Sequence, residues 1–157
     1  MGYITGEREE GCFLCNKAQQ EPSKENFIIG RWEKCFALLN TYPYNNGHTM
    51  IAPYRHVGDY EKLDEGEMVG IAEALKRVLG ALRVALKPDG FNVGINLGEA
   101  AGAGVPGHMH VHIVPRWAAD TNFMLVLGDT KVIPQALEET WRLVREALER
   151  QAAEGGA

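Results

Sequence analysis

The stretch GHMHVHIVPRW, residues 107–117, constrains the fold more tightly than any other part of the chain. His108, His110 and His112 take alternate positions, with Met109, Val111, Ile113 and Val114 between and after them. Alternation at period two predicts a half-buried β-strand. Side chains two apart on a strand share a face and lie roughly 6.6 Å from one another. The pattern therefore predicts a row of three imidazoles on one face, with the intervening residues packed into a core. Only five histidines occur in 157 residues, so the row demands a chemical reason.

Around it the chain reads as alternating strand and helix signals. NFIIGRW and KCFALLN predict two strands joined by a tight turn at Glu33 and Lys34, and HTMIAPYRHV predicts a third that stops near Pro53. TYPYNNG carries the turn residues of a loop. From Asp64 the period changes: Asp64 and Glu67 have capping-box spacing. Met68, Ile71, Leu75, Val78, Leu79, Leu82 and Leu86 then follow at helical steps, predicting an amphipathic helix of about five turns. FNVGIN predicts a strand, LGEAAGAGVPG a glycine-rich loop, and the residues after Pro134 a last helix with Leu137, Trp141, Val144 and Leu148 on one stripe. Grouped strands with two separate helices predict an α+β fold with a largely antiparallel sheet, one long central helix and a C-terminal helix. Residues 1–157 are expected to form a single domain, frayed over residues 1–10 and 151–157.

Composition narrows the partners. The formal net charge of −5 argues against general nucleic-acid affinity. The polar, acidic start and the lack of a long apolar run predict a cytoplasmic protein with no membrane span. An odd count of three cysteines points away from a disulfide framework. Cys35, inside CFALLN, reads as a buried core thiol. Cys12 and Cys15 form a C-x-x-C that could be a zinc half-site, a redox pair or two inert thiols; the redox reading wants a preceding strand and a following helix, and the sequence shows neither.

The histidine row cannot be one metal site. His108 and His112 would stand roughly 13 Å apart on an extended strand, whereas zinc–nitrogen bonds are about 2 Å. Catalysis, with neighbouring imidazoles doing different jobs, fits better. Gly98, Gly102, Gly104 and Gly107 precede the row. Such a loop can bring backbone N–H groups close to an anion.

H-x-H-x-H followed by VPRW, with NNGHTMIAP upstream, resembles the histidine triad (HIT) family of nucleotide hydrolases and transferases. The resemblance spans about Cys12 to Trp117 and implies a HIT-like fold, a homodimer and a nucleotidyl-histidine intermediate. By it His110 is the nucleophile, His112 contacts the phosphate and assists the leaving group, and His48 supports the nucleophile. Asn40 and Asn96 are implied in nucleotide binding. Many members carry Gln-Ser before the triad; AGAGVPGH has neither, so Ala103, Gly104 and Val105 would contribute backbone only.

A zinc-containing branch of the family pairs C-x-x-C with the triad's first histidine and with a histidine eight positions after the GH histidine. That resemblance implies structural zinc on Cys12, Cys15, His56 and His108. The loop length and the motifs NTYPYNNGH, HIVPRW and NFM…TKVIP are more similar to bacterial diadenosine tetraphosphate phosphorylases, in which inorganic phosphate accepts the nucleotide. The implied function is cleavage at the α-phosphate of a dinucleoside polyphosphate, by phosphorolysis or hydrolysis. Two other readings are a nucleoside phosphoramidate or adenylyl-sulfate hydrolase and a nucleotide-binding module with little turnover.

Overall fold

The computed structural model describes residues 11–120 and 135–155. Its centre is a five-stranded sheet in the order β1-β2-β3-β5-β4, every neighbouring pair antiparallel. The strands are β1 (Ile28–Arg31), β2 (Cys35–Leu39), β3 (Thr49–Pro53), β4 (Gly90–Ile95) and β5 (Val111–Arg116). The helices are α1 (Phe13–Ala18), α2 (Glu65–Leu86) and α3 (Leu137–Glu154). This is the mixed α and β architecture with a largely antiparallel sheet that the sequence predicts.

Both faces of the sheet are covered, which is why CFALL and TMIAP are continuous apolar runs rather than alternating ones. On one face Ile29, Ala37, Leu39, Ile51, Val111 and Ile113 pack with Ile71, Val78 and Leu82 of α2 and Val144 of α3. On the other, Ile28, Phe36, Leu38, Met50 and Ala52 pack with Leu14 and Ala18 of α1. That helix is six residues long, too short to cover the whole face.

The capping box forms as predicted. The Glu67 N–H donates to Asp64 Oδ1 (2.8 Å) and the Asp64 N–H to Glu67 Oε2 (2.9 Å). Burial along α2 departs from the predicted stripe, because Met68 is exposed while Ala74 and Ala81 are fully buried. The helix packs against both the sheet and α3. Its line of closest approach therefore falls on small residues, a feature that hydrophobicity alone does not reveal. The last helix runs to Glu154, into the segment expected to fray. Residues 1–10 and the NFM…TKVIP motif lie outside the described residues.

Two further expectations are corrected. A helix does follow Cys12, so the expected lack of a following helix is overturned, while any preceding strand would lie outside the described residues. The three histidines also do not share one strand. Only His112 lies in β5; His108 and His110 precede it. The β3–β5 ladder ends at Ile51↔Val111. Beyond it the Met109 N–H goes to Val57 O (2.7 Å) and His108 Nε2 to Pro53 O (2.8 Å). A side chain has taken a carbonyl that a longer ladder would use, and the chain leaves the sheet there.

Candidate active site and metal centre

His48 follows a turn at Gly47, whose φ of +72° suits glycine, and its side chain is 1% exposed. Asn45 holds this turn to the end of β5 by donating from Nδ2 to Pro115 O (3.0 Å). The Tyr44 N–H donates to His48 Nδ1 (3.0 Å), with Asn40 Nδ2 at 3.4 Å from the same nitrogen. Acceptance at Nδ1 puts the proton of a neutral ring on Nε2, which lies 2.9 Å from His112 Nδ1. His112 then accepts at Nδ1 and carries its own proton on Nε2.

Burial pushes the His48 imidazole down to about 3, helped by the charges His112 and then His110 would carry. Burial, then His110, brings His112 down to about 4. Both rings are therefore neutral near pH 7, and the direction of the proton between them is set by the Tyr44 backbone.

His110 is fixed differently. Its Nδ1 lies 2.9 Å from His108 O, and a carbonyl can only accept, so Nδ1 carries the proton. Nε2 keeps its lone pair. The ring meets His112 edge-on, with centroids 4.7 Å apart. Both rings line a cleft of about 370 Å³, a size that suits a small ligand.

Phe13, Leu14 and Met50 form an apolar part of the cleft; Asn40 and Thr41 add polar groups, and Gly102, Gly104 and Val105 line it from the glycine-rich loop. Among the described residues the Gly104 and Val105 N–H groups have no hydrogen-bond partner. Ala103 is absent from this lining, and its N–H turns back to Gly98 O (3.3 Å). Asn96 is likewise outside the lining, with Nδ2 directed at Gly102 O (3.5 Å). The sequence reading missed Phe13, Leu14 and Tyr44. Tyr44 packs its ring on His48 at 4.6 Å between centroids and on His112 at 5.9 Å. The apolar pair inside CFLC was the available signal for the first two.

At the far end of the histidine segment, Cys12, Cys15, His56 and His108 bring one donor atom each to within 4.8 Å of one another. Cys12 Sγ and Cys15 Sγ both lie 3.5 Å from His108 Nδ1, and Cys15 Sγ lies 3.3 Å from His56 Nδ1. A tetrahedral zinc with bonds of about 2.3 Å to sulfur and 2.0 Å to nitrogen requires S···N edges of about 3.5 Å. The four residues fit such an ion. Pro53 O accepts from His108 Nε2, which frees Nδ1 to act as a ligand. Burial holds the His108 imidazole below its usual range, which favours the neutral form that binds metals.

The family model described as "HIT domain" matches residues 21–119. A Mycobacterium tuberculosis protein named AP-4-A phosphorylase is 41% identical over 132 residues, covering 84% of this chain and 68% of that protein. An asymmetrical bis(5'-nucleosyl)-tetraphosphatase of Schizosaccharomyces pombe is 33% identical over 93 residues, 59% of this chain and 50% of the relative. Among solved structures, a zinc-bound histidine triad family protein from Mycobacterium smegmatis superposes with a TM-score of 0.72 at 29% identity, covering 91% of this chain and 96% of that one. Two histidine clusters flanking a small cleft, and the relatives that share this sequence, lead to one conclusion: the chain belongs to the HIT domain family.

Proposed function

We propose that the protein cleaves dinucleoside polyphosphates at the α-phosphorus through a nucleotidyl-His110 intermediate. The observation that carries this reading is the proton position on His110. Its Nδ1–H is held by the His108 carbonyl, so Nε2 is the free nitrogen of a ring that lines the cleft. The Nε2 lone pair attacks phosphorus and the bond to the leaving oxygen breaks. That oxygen departs as a phosphate anion, and the Nε2–H of neutral His112, whose ring adjoins His110, would assist it as a hydrogen-bond donor. In the second half, water or inorganic phosphate attacks the phosphorus, the phosphorus–nitrogen bond breaks with its electron pair returning to His110 Nε2, and the attacking group's proton passes to solvent. The loop N–H groups of Gly104 and Val105 stabilise negative charge on the non-bridging oxygens. Phe13, Leu14 and Met50 offer the apolar surface a nucleobase needs, and Asn40 offers the ribose its polar contacts.

The AP-4-A phosphorylase among the relatives favours phosphate as the acceptor. The Cys12, Cys15, His56 and His108 centre would hold zinc in a structural role, because four protein ligands close a tetrahedral site. The whole chain would act as one HIT domain, in a reducing cytoplasm that keeps both thiols available. Among the described residues β4 is an edge strand, and Val93 on it and Leu97 just after it are exposed; a second copy would extend the sheet there into a homodimer.

The test is turnover of diadenosine tetraphosphate with and without inorganic phosphate, products separated by ion exchange. ADP plus ATP, formed only with phosphate, is the expected result. AMP plus ATP without phosphate assigns water as the acceptor. No product in either condition overturns the proposal and directs the assay to phosphoramidates and adenylyl sulfate.

A further inference from the structure

The cysteine–histidine centre and the cleft are built from the same pieces of chain. Phe13 and Leu14, the two residues between Cys12 and Cys15, both line the cleft. One turn of backbone, closed by the Asn16 N–H on Cys12 O (3.0 Å), holds ligands and wall together. Moving either thiol moves that wall.

A second connection runs through His56. Its Nε2 is 3.2 Å from where a Cβ on Gly107 would sit, and a Cβ on Gly58 would lie 2.6 Å from Pro106 O. The loop that brings Gly104 and Val105 to the cleft is thus seated directly on the loop that carries His56. Arg55 braces that second loop, donating to Glu67 Oε1 (2.9 Å) and Oε2 (2.6 Å) at the start of α2. The third connection is His108 itself. Its Nδ1 faces the centre while its carbonyl oxygen holds the His110 Nδ1–H.

We propose that the metal centre positions three walls of the nucleotide cleft at once, so that ion binding and nucleotide binding strengthen each other. The proposal rests on the nucleotide reading of the cleft given above. Without an ion, the thiols and imidazoles are joined only by weak sulfur hydrogen bonds. The six-residue α1 has no side-chain bond at its N-cap and is too short to persist alone. Ordering α1, the His56 loop and the glycine loop has an entropic cost, and the first ligand to bind relieves the second of part of it. Linkage makes the two effects equal in size.

The test uses the full chain, zinc and AMP. AMP binding is measured by calorimetry on zinc-free and zinc-loaded protein, and zinc affinity by chelator competition with and without saturating AMP. Zinc should tighten AMP about tenfold, and AMP should tighten zinc by the same factor. Equal zinc affinity with and without AMP overturns the coupling. AMP binding to neither form overturns the nucleotide reading, and the proposal with it. The zinc-free protein should retain a native circular dichroism spectrum; an unfolded chain would replace the positioning role with a folding one and overturn the proposal. Phe13→Ala keeps all four ligands but removes one wall of the cleft, so at saturating AMP the gain in zinc affinity, taken relative to the same variant without AMP, should shrink. An undiminished gain in this variant overturns the connection through α1.

Discussion

His108 and His110 stand two residues apart, and the structure gives them opposite free nitrogens. His108 donates from Nε2 to Pro53 O and presents Nδ1 to the sulfurs of Cys12 and Cys15, in the cluster that His56 completes. His110 is bonded at Nδ1 by His108 O and offers Nε2. Composition cannot separate these two residues, since both are buried imidazoles on one segment. What separates them is which ring nitrogen a backbone carbonyl has claimed. A neutral imidazole has one donor and one acceptor nitrogen, so fixing the donor assigns the acceptor. His48 extends the lesson, because there a backbone N–H from Tyr44 fixes the acceptor instead.

Exchanging losses between the two histidines is the strongest way to break this comparison. His110→Asn should cost at least about 10⁴-fold in kcat while leaving one zinc per chain and AMP binding intact. His108→Asn should lose the zinc and lower Tm, since ion binding to a structural site contributes directly to folding. A His110→Asn protein that loses its metal, or a His108→Asn protein that keeps it, would mean the two roles are not separated. Metal analysis beside single-turnover kinetics decides this.

A middle-sized effect concerns pH. His48 and His112 sit at about 3 and 4 in the folded protein against an unfolded value near 6.5. The unfolded chain therefore binds more protons below pH 6.5. The stability these neutral rings contribute is complete above pH 6.5 and is lost as pH falls toward 4. Denaturant unfolding at pH 7.5 and at pH 5.5 should show a smaller decline for His48→Asn than for the parent. An equal decline would assign the pH dependence to other groups.

The smallest effect sharpens the cleft itself. Asn40 lines it, while Asn96 points its amide at Gly102 O. Asn40→Ala should raise KM by about tenfold, the scale of one or two lost hydrogen bonds, and Asn96→Ala should leave KM nearly unchanged. Similar KM values for the two variants would move Asn96 into the substrate's reach.

Much of this was legible in sequence because the signals are local. The capping box at Asp64 and Glu67, the strand runs CFALL and TMIAP and the C-x-x-C are decided by neighbours a few residues apart. The meeting of Cys12 and Cys15 with His56 and His108 was legible only through family resemblance, since 41 and 93 residues separate Cys15 from its two histidine neighbours. Met68 misled because its position relative to the stripe depends on where α3 presses on α2. Ala103 misled because whether its N–H serves a ligand or the loop's own turn depends on a bond to Gly98.

The sequence by itself determined the order of the five strands and the two long helices, the antiparallel sheet with its capped central helix, and the residue types available for chemistry. Periodicity and short-range hydrogen bonding suffice for those. Only the tertiary structure decided which nitrogen of each histidine is free and which glycine-loop amides find no partner among the described residues. Those outcomes depend on single donors and acceptors from distant segments, Pro53 O and the Tyr44 N–H among them, whose positions no local pattern encodes.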